Sequence, residues 1–320
     1  MVDTTVQTLV IATRGSALAL WQATHVQEGI AQVPSRLEIV RTTGDHITDV
    51  PLARIGGRGL FTRELDAAVL DGRADCAVHS LKDLPTRLAD GLTLAAILER
   101  EDARDAWLAA DGFTTIDRIA AGSRVGTSSL RRRAQLLARR PDLDVRDVRG
   151  NLDTRLTKLK DGQYDALILA LAGLRRLGRA DAVTQVLRSP EWLPAPGQGA
   201  VAVVARTGDE PTLQLLASLD HQDTRTAVSA ERALLRHLEG GCQVPIGTHA
   251  CIVGGRVRMD AVVADPDGHT VLRASGDADV GEAADLGIGL ARKLLDDGAH
   301  RILDQLRGSE SDDVPAVTLP

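Results

Sequence analysis

Aromatic side chains are scarce in this 320-residue chain, at 2% (two Phe, one Tyr, three Trp), so its cores must be packed from Leu, Val, Ile and Ala. Cysteine is scarce too. Three thiols without regular spacing argue against a disulfide framework and point to a reducing cytosol. No CxxC or HExxH pattern offers a metal site, and neither GxxxxGK[ST] nor a GxGxxG after a strand offers a nucleotide site. The longest apolar run, Ala166 to Leu174, has nine residues including a glycine. A membrane span needs about 20. The start, Met1-Val2-Asp3-Thr4-Thr5, lacks the basic region of a signal peptide, so a cytoplasmic protein is expected. Lysine is nearly absent: arginine supplies 34 of the 38 basic residues.

What is present is uneven. The net charge of −6 disfavours a general nucleic-acid binder. Yet Arg118 to Lys160 holds twelve Lys/Arg against four Asp/Glu. Arginine grips carboxylate and phosphate with a planar fork. A chain this long is expected to divide into two or three domains.

Strand, turn and helix signals recur in a fixed arrangement. Leu9–Thr13 reads as a buried strand, followed by Arg14-Gly15-Ser16 and a helical pattern from Ala17 to about Ala31. Ser16 suits an N-cap, and free backbone N–H groups at such a helix start attract anions. After a second strand at Leu37–Arg41, residues 42–60 form a long glycine-rich segment carrying Arg54 and Arg58, the composition of a lid or binding loop. The strand Ala74–Ser80 leads into Leu81-Lys82-Asp83-Leu84-Pro85. Lys82 and Asp83 thus lie just past a strand's carboxyl end, where open α/β sheets place ligands.

Beyond the strand Leu92–Leu98, the charged stretch Glu99–Asp105 is expected to cross into a second domain. There a short strand from Val125 runs into Gly126-Thr127-Ser128-Ser129-Leu130-Arg131-Arg132-Arg133. Three arginines in a first helical turn oppose the helix dipole, at about 0.3–1 kcal/mol each when exposed. Capping hydroxyls and three guanidinium groups at one helix start make sense if an anion belongs there; a basic face for nucleic acid is the competing reading, and the acidic whole weakens it. The strand Asp144–Val148 leads likewise into Arg149-Gly150-Asn151, with Arg155 one turn into the helix. Leu193–Ala200, rich in proline and glycine, returns the chain to the first domain. Two crossings make a hinged cleft between two α/β lobes, the architecture of periplasmic binding proteins. From about Leu219 the pattern becomes a helix, three hairpin-linked strands and two amphipathic helices.

At the start of this last part stands Leu238-Glu239-Gly240-Gly241-Cys242-Gln243-Val244-Pro245. The glycines stop a helix, and with the proline they make a tight loop that carries one thiol. A ligand with many carboxylates suits the separated arginines.

The motifs Ala12-Thr13-Arg14-x-Ser16, Val78-His79-Ser80-Leu81-Lys82-Asp83-Leu84-Pro85, Gly126–Arg132, Arg149-Gly150-Asn151-x-x-Thr154-Arg155 and Glu239–Pro245 together resemble the porphobilinogen deaminase (hydroxymethylbilane synthase) family, in its order and spacing. The resemblance spans Leu9 to about Leu306. It implies an α/β fold of two periplasmic-binding-protein-like α/β lobes joined by two crossing segments, plus a small C-terminal α+β domain. The expected division is residues 1–99 with 199–217, residues 100–198 and residues 218–308, before a polar, disordered tail over 309–320.

The resemblance implies an enzyme that condenses four porphobilinogen molecules head to tail, releases ammonia at each step and frees hydroxymethylbilane by hydrolysis. It implies a covalent dipyrromethane cofactor, thioether-linked to Cys242. Asp83 would be the catalytic carboxylate. Lys82, Thr127, Ser128, Ser129, Arg131, Arg132, Arg149 and Arg155 would hold cofactor and substrate carboxylates, and Arg14 and Ser16 the incoming or terminal ring. Arg54 and Arg58 stand where the family often has lysines, which keeps a charged lid but no amine. The expected partner is the small-molecule substrate, with no nucleic acid and no membrane, and the expected state is a monomer. Two other readings fit parts of the chain. One is a non-catalytic two-lobed receptor for a polyanion. The other is a cysteine hydrolase pairing Cys242 with His237 or His249, which no motif links to the thiol.

Overall fold

The computed structural model describes residues 8–46, 62–238 and 244–311. Elements are numbered in chain order. The first lobe is built from β1 (Leu9–Thr13), α1 (Ala17–Gly29), β2 (Ser35–Ile39), the short α2 (Thr43–His46), α3 (Arg63–Leu70), β3 (Cys76–Ser80) and β4 (Leu92–Ile97). β1 pairs in parallel with β2 and β3, and β10 (Val201–Arg206) inserts antiparallel between β3 and β4. The sheet order is therefore β2-β1-β3-β10-β4. The inner strands β1, β3 and β10 are almost continuously apolar because both faces are covered, whereas the edge strand β2 is polar and partly exposed. Ile11, Cys76 and Val78 pack with Ala23 and Val26 of α1, whereas Ala12 and Ala77 pack with Leu65, Ala68 and Val69 of α3.

The second lobe comprises β5 (Asp105–Ala109), β6 (Arg124–Gly126), α4 (Leu130–Arg139), β7 (Asp144–Arg146), α5 (Leu152–Lys160), β8 (Ala166–Ala170), α6 (Leu171–Arg176) and β9 (Gln185–Leu187). The sheet order is β7-β6-β8-β5-β9, with β5 antiparallel to both neighbours. Two of the scarce aromatics, Trp107 and Trp192, are buried here.

Asp105 corrects one expectation. The sequence placed it at the end of a charged crossing. It instead opens β5 and has no exposed surface. The apolar run behind it, Ala106-Trp107-Leu108-Ala109, needs a strand's two buried faces, and arginines from α4 neutralise the acid that leads it.

α7 (Glu210–Ala217) follows β10. The C-terminal domain contains α8 (Gln222–His237), an antiparallel sheet of β11 (Ile246–Val253), β12 (Arg256–Ala264) and β13 (Val271–Asp279), then α9 (Ala283–Leu294) and α10 (His300–Ser311). α10 continues to Ser311, past the Gly308 at which the sequence suggests that the fold ends. The β12–β13 hairpin docks on the second lobe. A Cβ at Gly268 would stand 2.3 Å from the Ala138 backbone nitrogen, so only glycine allows this approach. Among the described residues no helix is long and apolar enough to cross a membrane, and no group of His, Cys, Asp and Glu could hold a metal ion.

Candidate active site

In the first lobe, β1 delivers Arg14 and Ser16 to the carboxyl edge of the sheet. Ser16 caps α1, its Oγ accepting from the Ala19 N–H at 3.3 Å. β3 ends beside them and turns into a single 3-10 turn, Leu81–Asp83. Leu81 is buried and anchors the turn, and Asp83 is exposed. Arg14, Ser16, Gln22, His79, Ser80 and Asp83 line a pocket of about 70 Å³. Lys82 is half-buried, and its Nζ donates to Gln198 Oε1 at 3.4 Å. Burial lowers its amine to about 8. Asp83 and Asp105 pull upward while Arg132 and Arg131 push further down. These charges therefore belong to one electrostatic neighbourhood that spans both lobes.

In the second lobe, β6 delivers Thr127, Ser128 and Ser129 to the start of α4. Ser129 is the N-cap, accepting from the Arg132 N–H at 3.4 Å. The Ser128 hydroxyl closes the loop on itself, donating to the Val148 carbonyl at 2.9 Å and accepting from the Val148 N–H at 3.0 Å. Thr127 is buried, and its Oγ1 accepts from the Ser129 N–H. These hydroxyls thus hold the shape of the helix start.

Arg131 and Arg132 are buried and share Asp105. Arg131 Nη1 reaches Asp105 Oδ2 at 2.7 Å, and Arg132 Nη2 reaches Oδ1 at 2.8 Å. Arg131 also donates to the Leu193 carbonyl and Arg132 to that of Ile168. Trp192 Nε1 and Gln198 Nε2 complete the shell around Asp105, at 2.9 and 2.8 Å. Burial alone would raise the Asp105 carboxyl. The two guanidinium groups outweigh it and hold the group well below the usual carboxylate range.

Two guanidinium groups on one carboxylate leave a net positive charge. Arg155, near the start of α5, adds to it. Its Nε donates to the Gly150 carbonyl, and it has no carboxylate partner among the described residues. Burial, then Arg132 and Arg149, lower it to about 10. The structure therefore brings Arg132 and Arg149 within repulsive reach of Arg155, and Arg132 within reach of Lys82 as well. Among the described residues Arg131 Nε is buried without a hydrogen-bond partner. For Arg131, Arg132 and Arg155 the described residues supply one carboxylate, Asp105, and further carboxylates of one ligand would balance the remaining charge.

Arg54, Arg58 and Cys242 lie outside the described residues. The other two cysteines do not substitute for Cys242. Cys76 is buried in the first sheet with its thiol pushed up by burial, and Cys251 lies on β11.

Sequence reasoning missed Asp105, Gln198 and the buried pair Arg100–Glu231 at 2.8 Å, which ties the first crossing to α8. A signal for Asp105 was available, since three successive arginines at a helix start require a counter-charge somewhere. Nothing local marked Gln198.

Comparison with known proteins extends this geometry. "Porphobilinogen deaminase, dipyromethane cofactor binding domain" matches residues 9–214, and "Porphobilinogen deaminase, C-terminal domain" matches residues 225–296. The chain belongs to the porphobilinogen deaminase family. Its relatives include the porphobilinogen deaminases of Nitratidesulfovibrio vulgaris strains Hildenborough and DP4. Each is 49% identical over 311 residues, covering 95% of this chain and 98% of the relative. Among solved structures, an arginine-specific periplasmic binding protein of Salmonella typhimurium is similar at a TM-score of 0.39 and 12% identity, covering 67% of this chain and 91% of that one. That likeness is too slight to carry an argument; the strand orders above define the fold. The matched cofactor-binding domain includes every described residue of the arginine cluster, and the remaining charge there fits a dipyrromethane bearing carboxylates.

Proposed function

We propose that this chain condenses four porphobilinogen molecules head to tail on a dipyrromethane primer, releases ammonia at each step, and frees hydroxymethylbilane by hydrolysis. The observation that carries the reading is the pairing across the cleft. The exposed carboxylate of Asp83 follows a strand of the first lobe, and the adjacent Lys82 lies within electrostatic reach of Arg131 and Arg132 of the second.

Each pyrrole of the substrate carries two carboxylates and one aminomethyl group. The carboxylates match Arg132, Arg149, Arg155 and Lys82. Arg14 and Ser16, beside Asp83 in the small pocket, match the carboxylates of the ring that reacts. When bound, the cofactor supplies a nucleophilic pyrrole carbon on which the chain grows. Asp83 does the work at the reacting centre. Its carboxylate stabilises the positive charge left when ammonia departs and takes the proton lost when the rings join. Its solvent exposure suits a group that must exchange protons with each cycle. Arg131 and Arg132 are held by Asp105, so they meet the ligand without first reorganising.

In this reading Cys242 is the thioether anchor and not a turnover nucleophile, and Arg54 and Arg58 belong to a lid. The first lobe comprises residues 1–99 and 199–217, the second 100–198 and the C-terminal domain 218–308. The protein works as a cytosolic monomer. Intact mass of active protein tests the core of the proposal. The expected result is an excess over the sequence mass equal to about two pyrrole units, absent from Cys242→Ser. Active protein with an unmodified mass would overturn the reading, and reversible porphobilinogen binding without ammonia release would favour the receptor reading.

A further inference from the structure

We infer that Gln198 is a positioning residue that holds the ligand-gripping groups of the two lobes in one register. This inference rests on the condensing activity proposed above. Gln198 lies in the second crossing, between two glycines of positive φ, and is 1% exposed. Its side-chain amide faces both lobes. Oε1 accepts from Lys82 Nζ of the first lobe at 3.4 Å. Nε2 donates to Asp105 Oδ1 of the second lobe at 2.8 Å and to the Ala103 carbonyl, in the first crossing, at 2.7 Å.

The chemistry fixes the orientation. A flipped amide would set NH₂ against an ammonium and oxygen against a carboxylate. Glutamate would face Asp105 with a like charge, and leucine would leave both partners short of a hydrogen bond. Only a neutral group with an acceptor at one end and a donor at the other serves both.

The backbone on either side is pinned, so the amide has little freedom to follow a moving partner. The Gly197 N–H donates to Glu231 Oε2 at 2.7 Å, and the Gln198 carbonyl accepts from Arg100 Nε at 2.8 Å. At Gly199 a Cβ would stand 2.3 Å from the Glu101 carbonyl oxygen, which shows how closely the two crossings are pressed together. Through Asp105, the same amide sets Arg131 and Arg132. Lys82 adjoins Asp83 in sequence. A misplacement of about 1 Å at such a point costs on the order of 10²-fold in rate.

The test uses the full-length holoenzyme with Gln198→Leu and Gln198→Glu. The chain has only four lysines, Lys82, Lys158, Lys160 and Lys293, so ¹³C reductive methylation resolves each in an NMR pH titration. The resonance absent from Lys82→Arg is that of Lys82. The Lys82 midpoint is expected to fall in Gln198→Leu, which removes an acceptor from the ammonium, and to rise in Gln198→Glu, which adds a charge. In Gln198→Leu the cofactor mass is expected to persist, with kcat lower by about 10- to 100-fold and KM changed less. Unchanged midpoints in both variants, or kcat within about twofold of the parent, would overturn the inference. A purely structural role would not move the midpoint in opposite directions. Should Gln198→Leu fail to fold by circular dichroism, Gln198→Met keeps the length of the side chain and takes its place. The titration reads the relay even in a protein that neither carries an adduct nor turns over, so failure of the condensing reading remains distinguishable.

Discussion

The two lobes share one plan and use it differently. Each runs strand, helix, strand, helix, strand, and each sheet also holds an antiparallel strand that arrives through a crossing, after the others in the first lobe and before them in the second. β1 corresponds to β6, β3 to β8, and β10 to β5. Even the helix caps agree, since Ser16 and Ser129 each lie three residues past the end of their strand. The chemistry is opposite. The first lobe leaves its acid, Asp83, in solvent. The second buries its acid, Asp105, at the entry of the antiparallel strand and uses it to fix two arginines. At the matching entry into the first lobe stands the neutral Gln198, which touches Asp105. A carboxylate in water is free to move protons. A carboxylate in the core is locked as a counter-ion. Topology alone therefore says little about what a strand end does.

Replacing Asp105 should break the comparison most severely. Asp105→Ala leaves two buried guanidinium groups without a counter-charge, which costs about 3–5 kcal/mol. Urea unfolding should show the loss, and the intact mass should show incomplete cofactor loading because the arginine clamp no longer forms. Asp83→Asn should do the reverse: normal stability and normal mass, with turnover lower by about 10² or more. Should both substitutions lower stability equally, the division into a working acid and a structural acid would be wrong.

How much of this was legible in the sequence follows the same division. The strand ends that carry the candidate residues could be read because each combines an apolar run, a glycine or hydroxyl cap and a charged residue within about ten positions. Arg14, Lys82, Asp83 and Arg155 all sit in such windows. Asp105 could not be placed, because its partners are 26, 27 and 87 residues away and its own neighbours on one side are charged. Gln198 depends on Lys82, 116 residues distant, and on a crossing whose path no local pattern reveals. The role of the Ser128 hydroxyl was also hidden. A serine at a helix start suits an anion or a backbone partner equally, and only the approach of Val148 decides.

A smaller effect separates the two arginine layers of the second lobe. Arg155 lies outside the Asp105 clamp, so under the proposed function Arg155→Ala removes a ligand contact without orphaning a buried acid. A charge-assisted hydrogen bond contributes about 1.5–3 kcal/mol, so KM should rise by roughly 10- to 100-fold with little change in the urea midpoint. A stability loss as large as that of Asp105→Ala would place Arg155 in the clamp instead.

The smallest expected effect is a pH dependence at the boundary between the lobes. Lys82 has its amine lowered to about 8 from an ordinary 10.5, first by burial. As pH rises through 8 the folded protein loses this charge, and its attraction for carboxylates goes with it. KM should therefore rise by a few-fold between pH 7 and 9, an effect of about 1 kcal/mol or less for one partly solvated charge. The sign for folding is opposite. Below pH 8 both folded and unfolded chains carry the proton, and the burial cost is present in full. Between 8 and 10.5 only the unfolded chain keeps it, so this group makes the fold more stable as pH rises. A KM increase above pH 8 without a fall in the unfolding midpoint would thus report Lys82 itself. In Lys82→Arg, which stays charged throughout, the increase should vanish; if it persists, another group sets the pH dependence.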